Sequence, residues 1–269
     1  MEYCKIYIVA HKEFKVPKQK IYVPIQVGTR EDLFKDKGVR DNEGDNIANR
    51  NANYCELTAV YWIWKNVKDI DVVGICHYRR YFVKKNFASK SECFLLGEDE
   101  IRKILTRYDA IVPKYQNAAA SVEKFYYIQG EGKYKDIQKV KEIVANKCPE
   151  YMKCLEQVLN GQKAYYCNMV IMKKDKYDAY CKWLFDILFE LEKQTDLSEY
   201  TKEEARIYGY LSEILLNVWM LKNDMKLKHL PVINTEQGAL KYIHGRYLNL
   251  LRGIKNIVGY EKSEKREQR

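Results

Sequence analysis

Apolar runs that stop abruptly at histidine, lysine and arginine give this chain its most chemical signature. The run Asp71–Cys76 empties into His77-Tyr78-Arg79-Arg80 without a spacer. The opening run Lys5–Ala10 ends at His11-Lys12, and Tyr108–Val112 ends at Pro113-Lys114. Charge-assisted hydrogen bonds from such groups are worth about 1.5–3 kcal/mol each. Gathered on one rim, they suit a compact ligand with several negative charges, such as a nucleotide diphosphate. The structural alternative is an arginine pair closing a salt-bridge network at a strand end.

A carboxylate for proton transfer is offered by Glu213. At helical spacing Arg206, Gly209, Glu213 and Asn217 share one polar face, opposite Ile207, Leu211, Ile214, Leu215 and Val218. Gly209 leaves room there for a ligand or strand to approach. Glu213 is the candidate general base and Asp45 the reserve; the competing reading is an ordinary exposed charge. The turn Asp41–Ile47 carries Gly44, Asp45 and Asn46, which suit a ribose or base edge as well as their own backbone. Glu56 stands near a helix start, where a carboxylate also complements the helix dipole.

Short β-rich runs must position these groups: Lys5–Ala10, Ile21–Val27, Asp71–Cys76, Tyr108–Val112, Tyr165–Met172 and Lys228–Val232. Helical patterns fall between them, at Asn53–Val67, Asp99–Tyr108, Asp136–Asn146, Pro149–Asn160, Asp175–Lys193 and Glu203–Lys222. Alternation of this kind predicts an α/β fold, a mostly parallel central sheet with helices on both faces. Ligands of such sheets sit outside the carboxyl ends of the strands, where the cations fall. Lys114–Lys135, with Ala118–Ser121 and Gly130–Gly132, reads as a long loop and a lid on the acceptor side.

At 269 residues and 46% hydrophobic composition, the chain supports a sizeable core and excludes a disordered one. No apolar run approaches the roughly 20 residues of a spanning helix. A strand begins almost at once, which leaves no signal peptide to expect. The eight cysteines lack paired spacing, and Cys4, Cys55, Cys76, Cys167 and Cys181 sit in apolar patterns. They read as buried free thiols of a cytoplasmic protein. Half of the net charge of +10 lies in Lys241–Arg269, where eight Lys/Arg face three Glu. Ile243, Tyr247, Leu250, Leu251, Ile254 and Val258 recur there at helical spacing, a basic amphipathic pattern suited to an anionic membrane surface.

Three segments together carry a resemblance: Gly44-Asp-Asn-Ile47, the helix Tyr54-Cys-Glu-Leu-Thr-Ala-x-Tyr-Trp-x-Trp-Lys-Asn66, and Gly74-x-Cys-His-Tyr-Arg-Arg-Tyr-Phe82. They resemble a bacterial family encoded in capsular and exopolysaccharide clusters, whose members look like GT-A glycosyltransferases. The Tyr22–Gly28 segment, Asn168-Met-Val-Ile-Met-Lys-Lys174, the Trp183 region and Arg206-x-x-Gly-x-x-x-Glu213 match too, so the likeness spans about residues 4–232. It implies one GT-A-like domain over 1–240, with a nucleotide part to about 115 and an acceptor part from about 116, followed by the 241–269 tail. It further implies transfer of a hexose from a nucleotide-diphosphate sugar, UDP-linked, to a lipid-linked saccharide in capsule, O-antigen or exopolysaccharide synthesis; galactofuranose is one sugar open to it, not one that the resemblance implies. The resemblance puts His11, Lys12, Gly44, Asn46, Glu56, His77, Tyr78, Arg79, Arg80, Asn168 and Arg206 around the donor, while the tail is what suggests a place on the inner face of the plasma membrane.

One departure stands out. GT-A enzymes commonly bind Mn or Mg through Asp-x-Asp at the end of a central strand, and here that position reads His77-Tyr78-Arg79. Asp69-Ile70-Asp71 lies before the strand, and His77 with Asp45 would be a thin shell for a cation preferring six oxygens. The expectation is therefore that positioned cations, not a metal, stabilise the leaving diphosphate. A non-catalytic nucleotide or phosphosugar-binding module is the alternative class. An RNA-binding surface explains the charge but not its clustering at strand ends, so nucleic acid is not expected as a partner.

Overall fold

The computed structural model describes residues 2–29, 31–35, 38–84, 94–118, 120–128, 132–237, 244–245 and 247–254. Reading along the chain, β1 (Glu2–Ala10), β2 (Tyr22–Gln26) and β3 (Val39–Arg40) come first. After them come α1 (Asn51–Tyr54), α2 (Leu57–Asn66), β4 (Ile70–His77), β5 (Arg80–Phe82), α3 (Glu98–Leu105) and β6 (Ala110–Pro113). Then follow β7 (Gln116–Asn117), α4 (Val122–Ile128), α5 (Tyr134–Lys147), α6 (Met152–Asn160), β8 (Lys163–Ala164) and β9 (Val170–Lys173). The described core closes with α7 (Lys174–Lys193), α8 (Ile207–Lys222), β10 (Leu227–Leu230) and β11 (Val232–Asn234).

The main sheet runs in the order β10-β6-β9-β4-β1-β2-β3. β1 pairs in parallel with β2 and β4, and β6 with β10, whereas β9 lies antiparallel between β4 and β6. β5 folds back antiparallel on the end of β4 and pairs with β11. The carboxyl ends of β1, β4, β6 and β10 therefore meet the amino end of β9 on a single rim. β7 and β8 form a small separate ladder.

Alternation along each strand sends successive side chains to opposite faces. Tyr7, Val9, Val73 and Ile75 pack against α2, α5, α7 and α8. Ile6, Ile8, Val72, Cys76 and Tyr78 face the other way, toward α3 and the β5–β11 pair. Burial on both faces explains why these strands read as nearly continuous apolar runs.

Several sequence expectations change here. The run 165–172 becomes strand only from Val170, because Cys167 and Asn168 take left-handed backbone with φ of 76° and 48°. The helix expected over 53–67 breaks at Cys55, whose φ is 53°. Lys114–Lys135 is not a long loop, since it contains β7 and α4; Ala119 and residues 129–131 lie outside the described residues. The polar face of α8 is not a solvent face: Gly209, Ser212 and Asn217 are buried along it. Of the cysteines, Cys4, Cys76 and Cys181 are buried, while Cys55 and Cys167 are only partly so.

Candidate functional site

The residues named from the sequence separate into three groups. The first forms one cluster where β4 ends and β9 begins. Ile75 pairs with Val170, so two residues farther His77 arrives beside the left-handed Cys167–Asn168 step. The His77 Nε2–H donates to the Cys167 carbonyl (2.7 Å), because a carbonyl oxygen only accepts. Burial lowers the His77 pKa, against the opposing pull of Glu56, so the ring is held neutral with Nδ1 bare.

From the other side, the Cys167 N–H donates to Glu213 Oε1 (2.8 Å). Asn168 Nδ2 donates to Glu56 Oε1 and to Ser212 Oγ, both at 2.8 Å, and reaches the Gly209 carbonyl at 3.2 Å. Two carboxylates, one from the start of α2 and one from α8, thus converge on two adjacent non-glycine residues in left-handed backbone. Such strain persists only where the surroundings enforce it, and it gathers at functional sites.

Gly209 permits this convergence. A Cβ there would lie 3.1 Å from Cys55 Sγ and 3.2 Å from Cys55 Cβ, so the close approach is made by the α1–α2 junction rather than by a strand. Arg206 Nε donates to Cys55 Sγ (3.1 Å) and its guanidinium lies over the Tyr210 ring. Burial pushes the Cys55 thiol up to about 11, which keeps it protonated. Asn217, one turn beyond Glu213, bonds the Glu213 carbonyl and both the N–H and C=O of Tyr165, fixing the segment that enters the step.

The second group lies across the sheet from His77, because Tyr78 points to the opposite face. Lys12 Nζ and Arg79 Nη1 hold the Glu236 carboxylate at 2.8 and 3.3 Å. Lys12 and Arg79 also flank the Tyr78 ring, and His11 meets it edge-on at 5.1 Å. Lys12 and then Arg79 hold the Glu236 carboxyl below its ordinary range. Arg79 Nε is buried with no hydrogen-bond partner among the described residues. A cleft of about 760 Å³ opens beside this pair, lined by Phe14, Lys15, Lys18 and Tyr81. Arg80, at the start of β5, pairs with His77 and Asn234 and joins Arg79 in opposing protonation of His77. The two groups therefore flank one strand end.

The third group is not brought to the rim. Asp45 accepts from Tyr61 Oη (3.0 Å), its backbone is tied twice to Asn66, and Trp62 Nε1 donates to the Glu43 carbonyl. Asn46 bonds the Gly44 carbonyl and caps the following turn. Gly44, with φ of 59°, packs against Asn66. Asn66 lies ten residues from Glu56, about 15 Å along the helix. Gly44, Asp45 and Asn46 thus clasp the far half of α2.

The metal expectation meets the same geometry. Asp69 and Asp71 fall at the amino end of β4, opposite the rim, and Asp45 does not meet His77. Among the described residues no group of three or more His, Cys, Asp or Glu side chains is arranged to hold a metal ion. Glu236 and Ser212 were missed from the sequence; neither stands in a motif, and only the fold brings each to its partners.

A mixed α/β sheet with one reversed strand beside its crossover, helices on both faces and a polar rim at the strand ends defines the GT-A-like class. The chain belongs to the family described as a domain of unknown function, DUF4422, whose model matches residues 5–224. It is also similar to the solved apo structure of the bifunctional glycosyltransferase WbbM, with 29% identity and a TM-score of 0.81. That likeness covers 88% of this chain, which spans 46% of the WbbM chain. No curated protein matches the sequence.

Proposed function

We propose that the chain is a glycosyltransferase that moves a hexose from a nucleotide-diphosphate sugar, UDP-linked, to a lipid-linked saccharide in cell-surface polysaccharide synthesis. The observation that carries this reading is the strained Cys167–Asn168 step held by His77, Glu56 and Glu213 at the end of β4. The likeness to WbbM supports it, and a match to 46% of a bifunctional protein fits one catalytic unit of two.

In the reaction the acceptor hydroxyl oxygen forms a bond to the anomeric carbon while the bond to the diphosphate oxygen breaks. The hydroxyl proton passes to a carboxylate, and Glu213 is the base in this reading. Charge developing on the diphosphate meets Arg79 and Arg80, with Lys12 and His11 beyond; preorganised cations of this kind stabilise a leaving group without reorganisation. His77, held neutral, serves as a fixed dipole toward Cys167 rather than as a further cation.

Membrane-surface acceptor delivery rests on the end of the described chain. Residues 244–245 and 247–254 are helical, and Tyr247, Leu250 and Ile254 are about half or more exposed, at 56%, 61% and 49%. Ile243 and Val258 lie outside the described residues. No helix among the described residues is long and apolar enough to cross a membrane. An exposed apolar stripe in a segment of net +5 suits peripheral contact with an anionic leaflet at the cytoplasmic side.

Glu213→Gln tests the catalytic assignment. The amide oxygen still accepts from the Cys167 N–H, so UDP binding should persist while transfer falls about 10²- to 10⁴-fold, as for loss of a general base. Transfer at the wild-type rate would refute the assignment, and a chain that binds donor but never transfers would be a binding module.

A further inference from the structure

A second cavity, of about 470 Å³, runs along the outer edge of the sheet between β10, α6 and the distal half of α8. Tyr115, Tyr165, His229 and Lys163 line it, with Met225 and Leu227 along one wall. We infer that this cavity is the subsite for a neutral hexosyl ring of the acceptor saccharide. The inference rests on the proposed transfer reaction and extends it to a site outside the donor rim.

Aromatic geometry is the first argument. Tyr115 and His229 lie 4.3 Å apart at 34°, and Tyr115 and Tyr165 lie 5.7 Å apart. Tyr115 is 45% exposed at the mouth, so a ring face is offered to an incoming apolar C–H face. The polar groups are the second argument. The Tyr165 side chain is almost wholly buried, at 2% exposure, yet its hydroxyl has no partner among the described residues. Leaving such a group unpaired is costly, and a ligand hydroxyl would satisfy it. The His229 Nδ1–H donates to the Pro113 carbonyl (3.0 Å), which fixes the ring in the cavity wall. Aromatic faces combined with a few fixed polar groups suit a sugar ring, and the two charged residues of the lining, Lys163 and Asp224, are of opposite sign and give the cavity no net charge for an anion. The strong anion-holding pair, Lys12 and Arg79, lies elsewhere.

Position is the third argument. Asn217 grips both backbone groups of Tyr165 and sits one helical turn from Glu213, so the cavity ends about 5–6 Å along α8 from the carboxylate's own position. At its mouth, Tyr115 leads directly into Asn117. The N–H and side-chain amide of Asn117 bond Asn249 at 2.7 and 2.9 Å, docking the C-terminal helix with its exposed apolar stripe. A saccharide carried on a lipid would enter from that side and point a hydroxyl toward Glu213.

The test uses saturation-transfer NMR on the full chain with methyl galactoside, methyl glucoside, methyl N-acetylglucosaminide and methyl rhamnoside, with uridine as competitor and UDP titrated separately. The expected result is binding of at least one glycoside that Tyr115→Ala weakens about fivefold or more, the scale of one lost aromatic contact. Tyr165→Phe should weaken it similarly without lowering Tm, because it removes an unpaired buried hydroxyl, and UDP binding should be unchanged in both variants. Glycoside binding that is indifferent to Tyr115→Ala, or displaced by uridine, would overturn the inference. So would UDP binding without any glycoside, which leaves the donor reading intact. Glycoside binding without UDP would leave the subsite standing and remove the donor reading.

Discussion

Asn168 is the residue on which the candidate site mechanically depends, and replacing it gives a quantitative check. Its side chain joins Glu56, Ser212 and the Gly209 carbonyl, and its backbone is left-handed at φ 48°. Asn168→Ala removes a hydrogen bond to a charged acceptor, worth about 1.5–3 kcal/mol. It also places a Cβ residue without a local hydrogen bond in the left-handed region, at about 1–2 kcal/mol. Together these give a loss of about 2.5–5 kcal/mol, which should appear in urea unfolding. Asn168→Gly removes the same side chain but accepts the backbone geometry. It should recover about 1 kcal/mol of that loss, and the remainder reports the hydrogen bonds. Equal losses below about 1 kcal/mol for both variants would show that the step is not held as described.

Two further tests probe other parts of the rim. Asp41, buried beside Gly28, has its carboxyl pushed up to about 6 from 3.8, chiefly by burial. Because the folded pKa is raised, stability is lost as pH rises from about 4 to 6. Asp41→Asn, whose oxygen still accepts from the Gly28 N–H, should therefore gain about 3 kcal/mol at pH 8 and nothing below pH 4. An equal loss at both pH values in denaturation curves would refute this. Glu236→Gln removes the carboxylate that occupies Lys12 and Arg79, and should tighten UDP binding about fivefold at low salt, less so at high salt. Unchanged or weaker binding by calorimetry would mean that the pair is not part of the donor site.

Much of the scaffold was legible because burial on both faces leaves an unmistakable apolar run, as in Asp71–Cys76, and because helix-length patterns separate such runs. Strand direction was not: β9 runs against its neighbours, and direction depends on where the connection crosses, which no local pattern records. The 165–168 segment reads as strand by composition, yet its function-bearing feature is backbone conformation at Cys167 and Asn168. Similarly, the Arg206–Asn217 face has a polar period that normally means solvent, whereas here it packs on that strained step. His77, Glu56, Arg206 and Glu213 were found by residue type and spacing and Asn168 through the family resemblance, and the fold brings them together. Asp45 shows the converse. An acidic turn next to glycine suggests ligand binding, but a Tyr61 hydroxyl and an Asn66 amide claim it for helix packing.

The central claim is that the strand-end cations receive a nucleotide diphosphate. Calorimetric titration with UDP, GDP and CDP, each with and without Mn, tests it most directly. The account expects UDP to bind without Mn, and Arg79→Ala to weaken that binding at least tenfold, equivalent to about 1.4 kcal/mol. No binding by any of the three nucleotides would contradict the donor assignment. Binding that appears only with Mn would contradict the role given to Lys12, Arg79 and Arg80.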